Sequence, residues 1–275
     1  SDEEEREASC LAKRQEPQQE AASEEGDDDD GDAAYLNFSG TMNGDASGFA
    51  STENPPKTFV ASEIHDGKSV NIAEGLKLYE DLCDDSEISK LITLVKDLRA
   101  SGRKGELQGQ AFVVSKRPMK GHGRVMIQLG TPPTFFPNHN LSFPPFPADI
   151  KTEPLPESLQ DVTERLLAKE IISIKPDSCI VDIFDEGDHS QPHSWPHWLG
   201  RPVCVLFLTD CEMVFGKSLT VADHPGGDYR GALKLSLHPG DLLLVEGKSA
   251  DFAKHAIPSV RKQRILVTLT KSLPK

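Results

Sequence analysis

The sequence predicts an α+β fold, two helices followed by a run of β-strands that closes into a sandwich or barrel, behind an acidic tail. Three observations carry this expectation. Apolar residues recur at helical spacing in two early segments, short β-rich runs separated by turns fill the region from Ser178 onward, and the negative charge is crowded at one end. The formal charge is −14, but the first 34 residues hold 14 acids against 3 bases, so the remainder, with 30 acids and 27 bases, is close to neutral.

Residues 1–54 combine acidic runs, including Asp27 to Asp30, with few large apolar side chains, so they cannot bury enough surface to offset chain entropy. They are expected to be a disordered acidic tail, either a solubilising segment or a competitor for a nucleic-acid groove. Residues 55–275 are expected to form one domain, since 275 residues with 37% hydrophobic content suffice for a single substantial core. The five cysteines, Cys10, Cys83, Cys179, Cys204 and Cys211, form no C-x-x-C pair, which disfavours a zinc site or a disulfide framework and points to a reducing compartment. No stretch reaches the roughly 20 apolar residues of a membrane helix, and the N-terminus is acidic. A nuclear or cytoplasmic protein without membrane contact is therefore expected, and the absence of an initiating Met points to a fragment.

Order is expected from Lys57, with strands at Lys57 to Ala61 and Leu76 to Tyr79. Ile88, Leu91, Ile92, Val95 and Leu98 then mark a helix opening at Asp85-Ser86 and stopping at Gly102. A second helix, Glu157 to Lys169, carries Leu159, Val162, Leu166 and Leu167 on one face. Strands follow at Cys179 to Phe184, Val203 to Leu208, Met213 to Phe215, Ala232 to Leu237, Asp241 to Glu246 and Arg264 to Thr270. His238-Pro239-Gly240-Asp241 has turn chemistry, because Pro pre-sets φ and Gly accepts positive φ.

Two histidines are placed as metal ligands would be. Non-haem Fe(II) oxygenases bind iron through two imidazoles and a carboxylate on one face, leaving positions for a keto acid and O₂. In a jelly roll the first His follows one core strand and the second precedes another. His193, after Cys179 to Phe184, and His255, before Arg264 to Thr270, fit that placement. Spacing alone would equally allow loop histidines.

The wider context is more specific. Pro176-Asp-Ser-Cys-Ile-Val-Asp-Ile-Phe-Asp-Glu-Gly-Asp188, Pro192-His193, Arg201-Pro202-Val-Cys204, Phe207-Leu208, Asp210-Cys211, Phe215-Gly216, Ala253-Lys254-His255-Ala-Ile-Pro258 and Arg264 occur in register. With Gly102-Arg-Lys-Gly-Glu-Leu107 and Met119-Lys-Gly-His-Gly-Arg-Val-Met-Ile-Gln-Leu-Gly130 upstream, this set is similar to the plant AlkB-homologue RNA demethylases. The similarity covers roughly residues 57–271. It implies a double-stranded β-helix (jelly roll) with flanking helices. It also implies an Fe(II)- and 2-oxoglutarate-dependent dioxygenase removing N-methyl groups from single-stranded RNA, with N6-methyladenosine in mRNA the favoured base, and a monomer is expected. His193 and His255 would bind iron and Arg264 would hold the distal carboxylate of 2-oxoglutarate, a task suited to a planar guanidinium.

The sequence departs from the family pattern where it matters most. His193-Ser194-Trp195 stands in place of His-x-Asp, and an indole N–H is only a donor. Asp182 and Phe184 stand where the family has the Asn and Tyr that contact the keto acid, and Thr270 where a second Arg is expected. Three expectations follow. A neighbour, Asp188 and His197 foremost with Glu186 and His189 also near, completes the iron shell; or the site is weak and the protein binds RNA or acts as a scaffold without turnover; or iron is held by the two His with an exogenous anion, a reading against which the bulky Trp195 would fill the space the anion needs.

Arg103, Lys104, Lys116, Arg117, Lys120 and Arg124, with His122 among them, are candidates for phosphate contact, against the alternative of a solvated basic loop. Phe135 and Phe136 could stack on a base or pack in the core, and Trp195 and Trp198 could cover or plug a pocket mouth. Gly226-Gly227 and Gly121-x-Gly123 lack the Lys-Ser or Lys-Thr helix start of a phosphate loop, and no Ser-His-Asp context is present.

Overall fold

The computed structural model describes residues 55–109, 111–114, 124–131, 151–197, 199–221 and 228–273. The acidic tail, Lys116, Arg117, Lys120, His122, Phe135, Phe136, Trp198 and Gly226-Gly227 lie outside the described residues.

The first helix, α1 (Asp85–Arg103), starts where the Asp84 side chain accepts a hydrogen bond from the Glu87 N–H at 2.8 Å. Its Ile88, Leu91 and Val95 are buried, as the three- and four-residue spacing requires. Gly102 does not stop it. The helix runs one residue further, and the glycine that turns the chain is Gly105, at φ +72°. Gly102 serves packing instead: a Cβ there would lie 2.3 Å from the Phe112 ring. The second helix, α2 (Glu157–Ala168), opens behind Pro156 without a side-chain cap and buries Leu159, Val162 and Leu166.

Fifteen strands are described. Those before α1 are β1 (Lys57–Thr58), β2 (Ser62–His65), β3 (Lys68–Asn71) and β4 (Lys77–Tyr79). β5 (Phe112–Val114) and β6 (Val125–Gly130) lie between the helices. After α2 come β7 (Ser178–Phe184), β8 (Val203–Phe207), β9 (Cys211–Gly216), β10 (Thr220–Val221), β11 (Tyr229–Arg230), β12 (Leu233–Leu237) and β13 (Leu242–Val245). A short helix, α3 (Lys248–Asp251), precedes β14 (Lys254–Ala256) and β15 (Arg264–Thr270). The β2–β3 hairpin was not anticipated, although Asp66 and Gly67 at its turn, with φ of 51° and 74°, are a recognisable type I′ signal.

A large antiparallel sheet has the order β1-β4-β13-β8-β15-β7-β6-β5, and a small one the order β12-β9-β14. The chain passes between them repeatedly. From β7 in the large sheet it reaches His193, which bridges to the small sheet, then β8 in the large, β9 and β12 in the small, β13 in the large, β14 in the small and β15 in the large. This alternation is a double-stranded β-helix, as expected from the resemblance. The turn at Gly240, φ +91°, is one such crossing, from β12 to β13.

Side-chain alternation divides the large sheet between two cores. Cys204 and Leu206 of β8, with Leu242 and Leu244 of β13, face α1 and α2. Val203, Val205 and Phe207, with Leu243 and Val245, face the small sheet. Because both faces are covered, these strands read as unbroken apolar runs. Among the described residues no helix is long and apolar enough to cross a membrane.

Candidate functional site

His193 and His255 meet at the seam between the sheets. Each backbone N–H donates to the other's carbonyl, at 3.0 and 2.9 Å, so His193 adds a one-residue stub to the small sheet beside β14. Their ring centroids are 4.2 Å apart. The His193 Nδ1 lies 2.7 Å from the Gln191 carbonyl, which can only accept, so the proton sits on Nδ1 and the Nε2 lone pair is available. Burial, reinforced by the positive charge of Arg124, lowers the His193 pKa to about 4. Burial, then the neighbouring His193 and Arg124, holds His255 well below the ordinary histidine value. Both rings are therefore neutral at pH 7, the form that binds metals.

Trp195 also lies against the His255 imidazole, stacked on it with centroids 4.2 Å apart and planes 18° apart. It is 9% exposed. Arg201 fixes its backbone: Nη2 donates to the Trp195 carbonyl at 3.0 Å, Nη1 to those of Pro196 and Leu199, and Nε to Asp251 of α3. Nothing in the residue pattern announced that role for Arg201.

The substitute ligands do not gather at the pair. The Asp188 side chain is buried and accepts from the Asp185 N–H at 3.1 Å, turned back onto its own loop. His197 and Glu186 are exposed. His189 is buried, its ring 6.2 Å from that of Tyr229. Among the described residues, no group of three or more His, Cys, Asp or Glu side chains could hold a metal ion.

The residues assigned to the keto acid are committed elsewhere. Arg264 is 1% exposed and donates from all three guanidinium nitrogens to backbone carbonyls. Nε reaches Lys262 at 3.0 Å, Nη1 Pro258 at 2.6 Å, and Nη2 both Asp185 at 3.0 Å and Asp188 at 2.8 Å. Phe184, opposite Arg264 in the β15–β7 register, is fully buried and has Arg264 5.6 Å and Arg124 5.8 Å from its ring centroid. Asp182 pairs with Arg124 at 3.4 Å, yet burial outweighs that pairing and raises its carboxyl pKa. Thr270 donates to the Gly200 carbonyl at 2.7 Å.

A second tie secures this loop. Arg99 of α1 grips both Asp185 oxygens, at 3.0 and 2.5 Å, and Gln263 donates to the same carboxylate. The Arg99 hydrogen bonds pull the Asp185 pKa down to about 2. Of the candidate phosphate contacts, Arg103 and Lys104 are exposed at the end of α1, whereas Arg124 turns inward to Asp182 and Phe184.

Iron and a keto acid can be tested against these residues. The two neutral imidazoles fit, and the buried His255 Nδ1 lacks a hydrogen-bond partner among the described residues, so a metal or a proton donor would satisfy it. The third ligand position does not fit, because Trp195 offers no lone pair to a cation. Nor does the keto-acid cradle, since Arg264 is already bonded to four carbonyls and Asp182 is a carboxyl group. The usual three-ligand centre is thus met in two positions and unmet in the rest.

No family model matches the chain. It is 35% identical over 222 residues to the RNA demethylase ALKBH10B of Arabidopsis thaliana, covering 80% of this chain and 39% of that protein. It is 34% identical over 218 residues to the RNA demethylase ALKBH9B of the same plant, covering 78% of this chain and 43% of that protein. The chain therefore spans about two-fifths of the length of these relatives. Among solved structures, OsALKBH1 aligns with a TM-score of 0.43 at 19% identity over 72% of this chain and 96% of that one. A Pseudomonas putida prolyl-4-hydroxylase aligns with a TM-score of 0.41 at 12% identity over 72% of this chain and 93% of that one.

Proposed function

We propose that this chain, a homologue of the plant AlkB-type RNA demethylases over four-fifths of its length, is an Fe(II)- and 2-oxoglutarate-dependent dioxygenase domain of that type acting on N-methyl groups in RNA. One observation carries the reading: in a chain 35% identical to such a demethylase, His193 and His255 are bridged side by side at the seam of a double-stranded β-helix. Residues 55–275 would form this domain, behind an acidic tail, in a monomer of the nucleus or cytoplasm.

Demethylation of this kind consumes O₂ and 2-oxoglutarate and yields formaldehyde, succinate, CO₂ and the unmethylated base. What the chain's own residues contribute is a pair of neutral imidazoles, with His193 oriented by Gln191, in a largely apolar interior. The methylated nucleotide must be single-stranded or flipped out to approach that interior. Arg103 and Lys104 at the exposed end of α1, with Lys116, Arg117 and Lys120 of the following segment, are the cations we assign to the RNA backbone. N6-methyladenosine in mRNA is the substrate to test first.

The test incubates the protein with Fe(II), 2-oxoglutarate and a methylated oligoribonucleotide and measures succinate and the unmethylated base. Formation of both in equal amounts is expected. RNA that is bound but never demethylated would replace this reading with a second, RNA binding without turnover, which the stacking of Trp195 on His255 favours.

A further inference from the structure

We propose that Trp195 occupies the place of the third metal ligand, so that the residues present do not fit a three-ligand iron centre: two imidazoles remain and a substitute carboxylate is excluded. The proposal rests on the dioxygenase reading and concerns the metal, not the RNA.

Three observations lead to it. The first is placement: the His255 ring has both His193 and Trp195 against it, each centroid 4.2 Å away, with the indole stacked and the His193 ring tilted. The residue two positions after His193, where His-x-Asp has its carboxylate, is thereby held against the face of the His255 ring, beside the histidine pair. The second is immobility. Trp195 is packed in the inner core with Phe184, Leu199, Phe207 and Phe215, and Arg201 bonds its carbonyl and those of Pro196 and Leu199 while pairing with Asp251. The third is chemistry. The indole nitrogen is a donor with no lone pair in the ring plane, so it cannot ligate a cation. It is also buried without a hydrogen-bond partner among the described residues, so the ring is present as a packed surface rather than as a polar contact.

The alternatives have less in their favour. An exposed His197 would have to turn inward, and Asp188 would have to give up the Asp185 N–H. An anion from solution would need the volume the indole fills. Two imidazoles without a carboxylate leave the metal with fewer ligands and no neutralising charge, which lowers affinity for a hard divalent ion.

Titration with Co(II), whose visible absorption reports its ligands, tests this without RNA or turnover. Trp195→Asp is expected to bind Co(II) at least tenfold more tightly than the wild type, and Trp195→Gly to gain affinity on addition of acetate. The wild type should show no acetate effect. A folded Trp195→Asp that binds no more tightly than the wild type overturns the proposal, as does acetate-enhanced binding by the wild type. Should Trp195→Asp fail to fold by circular dichroism, the glycine variant and the wild-type acetate series decide the matter. Tight metal binding by Trp195→Asp without demethylation would count against the dioxygenase reading and leave this proposal standing.

Discussion

His193 and His255 are joined by their backbones, each N–H bonded to the other's carbonyl, before their side chains are considered. The meeting of the two imidazoles is thus a property of the β-helix and does not depend on a bound ion. Replacing one ring should therefore remove metal binding while sparing the fold. We expect His193→Ala to abolish Co(II) binding and to cost about 1 kcal/mol of stability, as for a partly exposed side chain. Metal affinity equal to the wild type in this variant would dismiss His193 as a ligand.

Arg264 should act on stability whether or not a keto acid is bound. Its guanidinium satisfies the carbonyls of Pro258, Lys262, Asp185 and Asp188, and removing it strands those acceptors in the interior. Arg264→Ala is expected to lose about 3 to 5 kcal/mol in urea unfolding. A loss below about 1 kcal/mol would show that these bonds are not what the residue is for.

Asp185 gives the protein an acid-sensitive tie between α1 and the loop leading to His193. Its pKa is about 2 in the folded protein, below the ordinary carboxylate value because Arg99 holds the ionised form. The tie is therefore fully present above about pH 4 and is lost as pH falls toward 2. Since the carboxylate is about one-third exposed, solvent screening leaves about 1 kcal/mol at stake. Asp185→Asn should flatten the stability profile between pH 4 and 2; an unchanged slope in chemical denaturation across that range would contradict this assignment.

Gly102→Ala sets helix propensity against packing. In an exposed helix interior the change stabilises by about 1 kcal/mol. Here the new Cβ would fall 2.3 Å from the Phe112 ring, near the root of that side chain rather than at its flexible end. Overpacking of this kind costs about 1 to 3 kcal/mol, so a net loss is expected, read as a lower melting temperature. A higher one would mean that Phe112 moves aside freely.

Much of the architecture was legible because it follows from short-range periodicity. Ile88, Leu91 and Val95 marked the buried stripe of α1, and the apolar run from Val203 to Phe207 signalled a strand covered on both faces. His193 and His255 stood out in the sequence only together with the family resemblance, since their placement alone equally allowed loop histidines. The end of α1 was misjudged by one residue because glycine has two uses, and here the close approach of Phe112 outweighs its weak helix propensity.

The sequence by itself determined that the chain carries two helices and, after the second of them, a run of strands, that one histidine stands before and one within the last part of that run, and that no carboxylate follows His193 at the usual distance. The tertiary structure decided what those facts amount to. Arg264 is assigned by the resemblance to the carboxylate of 2-oxoglutarate, yet it donates to the carbonyls of Asp185 and Asp188, 79 and 76 positions away. Arg124 looks like a surface charge, yet it faces Asp182 across the sheet. Trp195 is a substitution in a motif until the fold lays it against His255. Local patterns specify which backbone conformation a segment prefers, whereas the direction of a buried polar or aromatic side chain depends on groups that only folding brings within reach.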